Sequence, residues 1–119
     1  MIWSKRAVGN QAEEAAAKYL SKHGYKIIKR NFLIRGGEID IIAKDQKTLV
    51  FVEVKARSSN RYGSGLEAIT SWKLEALHKA ALFYMQTINW GDQEYRFDAV
   101  EVDLAVNPFK IDLIKNILN

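Results

Sequence analysis

Gly37-Glu38-Ile39-Asp40-Ile41-Ile42-Ala43, a short polar turn, and then Leu49-Val50-Phe51-Val52-Glu53-Val54-Lys55 form the stretch that decides how this chain reads. Both runs have the length and β-branched content of strands, and the turn Lys44-Asp45-Gln46-Lys47 makes them a hairpin. Side chains alternate across a strand, so Ile39, Ile41 and Ala43 are expected on one face. Val50, Val52 and Val54 form an equally apolar set on the partner strand. Opposed residues of an antiparallel pair share a face, so burying the two apolar sets together gathers Glu38, Asp40, Glu53 and Lys55 on the other side.

That gathering is electrostatically awkward. Two carboxylates about 5 Å apart repel by roughly 3 kcal/mol at an effective dielectric near 20, and one lysine does not offset three of them. A cation is missing from the account. Oxygen donors without thiolates or clustered histidines suit Mg²⁺ or Mn²⁺ rather than zinc. An ion held by Asp40 and Glu53 beside Lys55 is a site able to polarise a phosphodiester and ready a water to attack it. The plain alternative is a solvated sheet face on which Glu and Lys pair along and across the strands. Charge set inside the most apolar stretch of the chain argues for the chemical reading.

The flanking segments supply further groups. Asn10 to Lys22 reads as a helix with Asn10 as N-cap, Gly24 just past its end and Ala16, Ala17 and Leu20 in its apolar stripe. Glu13 shares that stripe, while Glu14, Lys18 and Ser21 face outward. Two reasons fit a core-facing glutamate: a capping box to Asn10, or a further carboxylate delivered to the acidic cluster. Tyr25 to Leu33 is an expected strand, and Gly36-Gly37 frees the backbone for a sharp entry into the hairpin. Ala56 to Gly65 reads as an exposed polar loop whose Arg57 and Arg61 are candidate phosphate contacts. Ser71 to Ile88 is a second helix with Leu74, Leu77, Ala81, Met85 and Ile88 expected buried, and its Lys73 is a third candidate phosphate contact. His23 and His78 have no metal partner in sequence and read as structural or exposed. Tyr95 to Val106 is a further strand, in which Asp98 either buttresses the site or pairs with Arg96. Ile111 to Leu118 is a short closing element of either type.

On these motifs the sequence resembles the YraN-like bacterial family, which is similar to archaeal-type Holliday junction resolvases and the PD-(D/E)xK nuclease superfamily. The likeness rests on Gly37 to Ala43, on Val50 to Arg57, and on Ala12-Glu13, Gly24-Tyr25, Arg30-Asn31-Phe32, Lys73, Ala81 and Arg96-Phe97-Asp98. Ala12 stands where the family often has Gly, and no Pro precedes Asp40. The resemblance implies an α/β restriction-endonuclease-like fold, a mixed central β-sheet flanked by α-helices. It implies a metal-dependent endonuclease acting on DNA phosphodiester bonds, branched or junction structures among them. In that reading Asp40, Glu53 and the Val54 carbonyl hold Mg²⁺ or Mn²⁺, Lys55 serves the attacking water, and Glu13 and Glu38 complete the acidic cluster.

Bulk properties agree. A chain of 119 residues is expected to form a single domain over residues 1–119, with 48% hydrophobic and 27% charged residues and one Pro. The absence of cysteine excludes disulfides, Cys-based zinc sites and a thiol nucleophile. With no signal-like N-terminus and no membrane-spanning apolar run, a cytoplasmic location and no membrane partner are expected. The net charge is +4; with Glu13, Glu38, Asp40 and Glu53 set aside around a cation, 18 Lys and Arg face 10 acids, a balance of +8 that suits a polyanionic partner, with DNA expected. Symmetric cutting of two strands would favour a two-fold homodimer. The rival from another class is a nucleic-acid-binding or adaptor module that keeps the fold without cleaving. A sugar hydrolase with paired carboxylates is disfavoured by the small chain and basic balance.

Overall fold

In the computed structural model, which describes residues 5–57 and 71–118, the order is α1 (Lys5–Lys22), β1 (Lys26–Ile34), β2 (Gly37–Asp45), β3 (Thr48–Arg57), α2 (Ser71–Thr87), β4 (Tyr95–Asp103) and β5 (Lys110–Ile114). The strands form one sheet in the order β1-β2-β3-β4-β5. β3 and β4 run parallel, and the other neighbours are antiparallel. A parallel neighbour needs a crossover, and the segment containing α2 supplies it. The α/β expectation of a mixed central sheet flanked by helices, in the restriction-endonuclease-like manner, therefore holds. Neither helix is long and apolar enough to cross a membrane among the described residues.

Each face of the sheet is covered by a helix. Ala12, Ala16 and Leu20 of α1 pack with Ile41, Ala43, Val50, Val52, Val100 and Val102. Alanines at these positions let the helix lie close to the strands. Leu77, Ala80, Ala81 and Met85 of α2 pack with Ile42, Leu49, Phe51 and Phe97 on the opposite face. The face expected to carry only charge is thus apolar along most of its length. Its acids are confined to one end, where Leu49 and Phe51 give way to Glu53 and Lys55.

Ile39 departs from the expected alternation: it joins the α2-side cluster, while Ile41 and Ala43 stay on the α1 side. The change of side falls where the β2/β3 ladder stops, since its register runs from Asp45↔Thr48 only to Ile41↔Val52. Beyond Ile41 the cross-strand link is made by the Asp40 side chain.

Several boundaries also move. The first helix begins at Lys5 rather than after Asn10, so Asn10 lies inside it and the capping-box reading of Glu13 fails. Ala56 and Arg57 belong to β3, not to a loop. The second helix ends at Thr87, leaving Ile88 41% exposed instead of buried. β4 stops at Asp103, and the closing element is a strand, β5, paired with it. Arg61 and the rest of the expected loop to Gly65 lie outside the described residues.

Candidate metal centre

The backbone around Gly37 sets how closely α2 approaches the hairpin. A Cβ at Gly37 would come within 2.8 Å of the Ala76 carbonyl and 3.0 Å of the Ala80 methyl. Only glycine tolerates that contact without moving the helix. One turn before Ala76, Lys73 then reaches the end of β3, with its Nζ 3.9 Å from Glu53 Oε1. From the other face α1 contributes Glu13, one residue beyond the buried Ala12.

These elements surround a cleft of about 1010 Å³ lined by Glu13, Glu38, Asp40, Glu53, Val54, Lys55 and Lys73. Asp40 and Glu53 are brought together on one side of the sheet. The Asp40 Oδ2 accepts the Val54 N–H at 2.8 Å, which fixes that carboxylate against β3. Val54 enters the site through its backbone while its side chain packs on the α1-side core.

Charge crowding is visible in Glu53, Asp40 and Glu13. Burial, followed by the Asp40 charge, pushes the Glu53 carboxyl up to about 8, against the pull of Lys73 and Lys55. Asp40 is also raised, by burial and by Glu38, although the Val54 N–H and Lys73 oppose the shift. Glu13 is raised by burial, Asp40 and Glu38, and its buried Oε1 lacks a hydrogen-bond partner. The Lys55 amine is lowered, first by burial and then by the neighbouring Lys73. The raised carboxyls within the cleft are the groups that an added positive charge would relieve.

The donors bear on which ion would fit. Among the described residues no three His, Cys, Asp or Glu side chains form a group able to hold a metal ion unaided. Mg²⁺ is commonly held by one or two carboxylates and keeps several waters, so the Asp40–Glu53 pair with a backbone oxygen is a donor set of the right kind. A large rigid cage is not required.

Other candidate residues fall elsewhere. Arg57, at the end of β3, forms an ion pair at 2.9 Å with the largely buried Glu101. Asp98 is fully buried and faces the α1 side, where Arg96 Nε donates to its two oxygens at 3.0 and 3.1 Å. Arg96 also donates to Asp45 at 2.9 Å and to the Tyr25 hydroxyl at 2.6 Å, and the Asn116 N–H reaches Asp98 at 3.1 Å. Asp98 is therefore a structural ion-pair residue away from the cleft. His78 stands edge-on to Phe97, and His23 stacks on Tyr19.

Sequence reading missed Trp72 and Leu33, which line the same cleft as the acids. Trp72 directly precedes Lys73, the signal that could have flagged it. The role of Glu101 was also missed, because its partner Arg57 was assigned to a loop.

Residues 12–102 match the sequence profile of the family described as "Uncharacterised protein family UPF0102". The chain belongs to that family. It is 43% identical over 116 residues to a UPF0102 protein of Geobacter metallireducens, covering 98% of this chain and 95% of the relative. It is 46% identical over 115 residues to one from Caldicellulosiruptor saccharolyticus, covering 95% and 98% respectively. A third, from Desulfosudis oleivorans, is 43% identical over 116 residues, covering 98% of this chain and 93% of the relative. The span matched to UPF0102 therefore runs from within α1 through the hairpin and α2 into β4, and the cleft acids Glu13, Glu38, Asp40 and Glu53 fall inside it.

Proposed function

We propose that this UPF0102 chain is a Mg²⁺- or Mn²⁺-dependent endonuclease of the PD-(D/E)xK kind, hydrolysing DNA phosphodiester bonds, with branched or junction structures among its substrates. The observation that carries the reading is the crowding of the Asp40 and Glu53 carboxylates in one cleft beside Lys55 and Lys73. A surface that merely bound DNA would gain little from buried acids placed where phosphates approach.

Asp40 and Glu53 would hold the ion, with the Val54 carbonyl as a further donor. When bound, such an ion supplies charge on a phosphate oxygen and acidifies a water. Asp40 is held in place by the Val54 N–H, so its carboxylate is oriented before substrate arrives. Lys55, with its lowered proton affinity, hydrogen-bonds the attacking water and is suited to take its proton as the water oxygen bonds to phosphorus. The phosphorus bond to the leaving oxygen breaks in line, and that oxygen takes a proton from solvent. Lys73, beside Glu53, would contact a phosphate oxygen, and so would Arg61, which lies outside the described residues; Arg57 is tied to Glu101 and joins them only by changing partners. Glu13 and Glu38 act as outer acids that tune the pair. A cytoplasmic location and a two-fold dimer fit this activity.

The test is a panel of labelled duplex, single-stranded, flap and four-way-junction DNA incubated with Mg²⁺ or Mn²⁺, beside Asp40→Asn and Lys55→Ala. Cleavage of at least one substrate that disappears in both variants supports the reading. Cleavage that persists in both points to a contaminant, and DNA binding without cleavage favours the adaptor.

A further inference from the structure

Large exposed apolar side chains are scattered over the described surface, but the two most exposed, Trp72 at 72% and Leu33 at 66%, both line the acidic cleft. Isolated surface apolar residues need no explanation; a pair at the rim of the chemical site does. Leu33 stands opposite Glu38 in the β1/β2 ladder, and Trp72 comes from the first turn of α2 beside Lys73. The rim is aromatic and aliphatic, whereas the floor is carboxylate and amine. A partner that satisfies both must carry a flat apolar face close to an anionic group that tolerates a bridging cation. An apolar segment of a protein would satisfy the rim and leave the floor unmatched.

We infer that Trp72, supported by Leu33, is a stacking subsite for an unpaired nucleobase next to the phosphate held in the cleft, which makes nucleic acid with unstacked bases the preferred ligand. In an intact duplex both faces of each internal base are covered by neighbours and the terminal bases stay paired, so the indole finds an unpaired base only at a tail or an unpaired position. Base–aromatic stacking is insensitive to base identity, so the selection is by pairing state and not by sequence. The inference rests on the proposed nuclease reading and narrows its substrate class.

The test measures binding, not cleavage. Fluorescence anisotropy is recorded in Ca²⁺ with a labelled single strand, a duplex carrying a short single-stranded tail, and a blunt duplex. The native chain is expected to hold the single strand and the tailed duplex more tightly than the blunt duplex. Trp72→Ala should weaken the first two by roughly 10- to 100-fold, the size of one base–aromatic stack, and change blunt-duplex binding less than twofold. Trp72→Phe should recover most of the loss, and high exposure of the side chain keeps both variants folded. Equal effects on all three ligands, or none, overturn the stacking subsite while leaving the nuclease reading standing. So does a Trp72→Ala change confined to the sedimentation coefficient of the protein alone, which makes this rim a protein contact. Failure of the native chain to bind any of the oligonucleotides brings down both readings.

Discussion

The Asp40 carboxylate accepts the Val54 backbone N–H at 2.8 Å, just beyond the last ladder pair, Ile41↔Val52. One side chain thereby closes the hairpin and aims a carboxylate oxygen into the cleft. Asp40→Asn keeps an acceptor for Val54, whereas Asp40→Ala leaves a part-buried N–H unsatisfied, which costs about 1–3 kcal/mol. Urea denaturation should rank the two variants in that order, and both should lose Mn²⁺ binding. Equal stability of the two would mean that this hydrogen bond does not hold the hairpin.

Protonation of the acidic pair gives the metal-free protein a distinctive pH profile. With Glu53 pushed from its ordinary 4.5 up to about 8, the native state keeps a proton that the unfolded chain has released across that window. The native state then binds more protons than the unfolded one, so stability should fall as pH rises from about 5 to 8. The drop should be about 2–4 kcal/mol, shared by a pair that titrates jointly with Asp40. Thermal melts in chelator should follow this slope, and Glu53→Gln should flatten it. Saturating Mn²⁺ should abolish it in the native chain, with proton release on binding at pH 7 detectable by calorimetry in buffers of different ionisation enthalpy.

Lys73 stands 3.9 Å from the Glu53 carboxylate and offsets part of its charge. An amine in that position competes with a divalent ion for the same acid. Lys73→Met should therefore tighten Mn²⁺ binding by about 3- to 10-fold, as expected for removing a partly solvated like charge. The same change should weaken oligonucleotide binding. Weaker binding of the ion in this variant would mean that Lys73 organises the acids instead of competing for them.

The buried Asp98–Arg96–Tyr25–Asp45 network should govern stability alone. Its hydrogen bonds to Asp98 and Asp45 hold the Arg96 guanidinium charged despite burial, which disfavours that charge. Asp98→Ala leaves this cation with Asp45 as its remaining counter-charge in the network and should cost about 3–5 kcal/mol, read from denaturant midpoints, with Mn²⁺ affinity unchanged in the folded fraction.

Much of the site was legible because strand parity is strict wherever a ladder persists. Glu53, Lys55 and the apolar Val50, Val52 and Val54 follow it, and α2 begins at Ser71 as its pattern indicates. Parity failed at Ile39, past the end of the β2/β3 pairing, where β2 is held by the β1 ladder alone and no longer by β3. The start of α1 was misread because Asn10 has the chemistry of a cap but lies within a continuing helix. Arg57 looked like a loop cation because its buried partner, Glu101, lies on the parallel strand 44 residues away and has no local signature. Lys73 could be named a phosphate contact from sequence, but its approach to Glu53 depends on the Gly37 contact with α2, a tertiary relation.

The most direct measurement is anomalous diffraction from crystals of the native chain soaked in Mn²⁺. The account predicts a peak between Asp40 and Glu53, about 2.2 Å from an oxygen of each, that is lost in Glu53→Ala crystals. A peak bound elsewhere, or one at this cleft that survives Glu53→Ala unchanged, would contradict it.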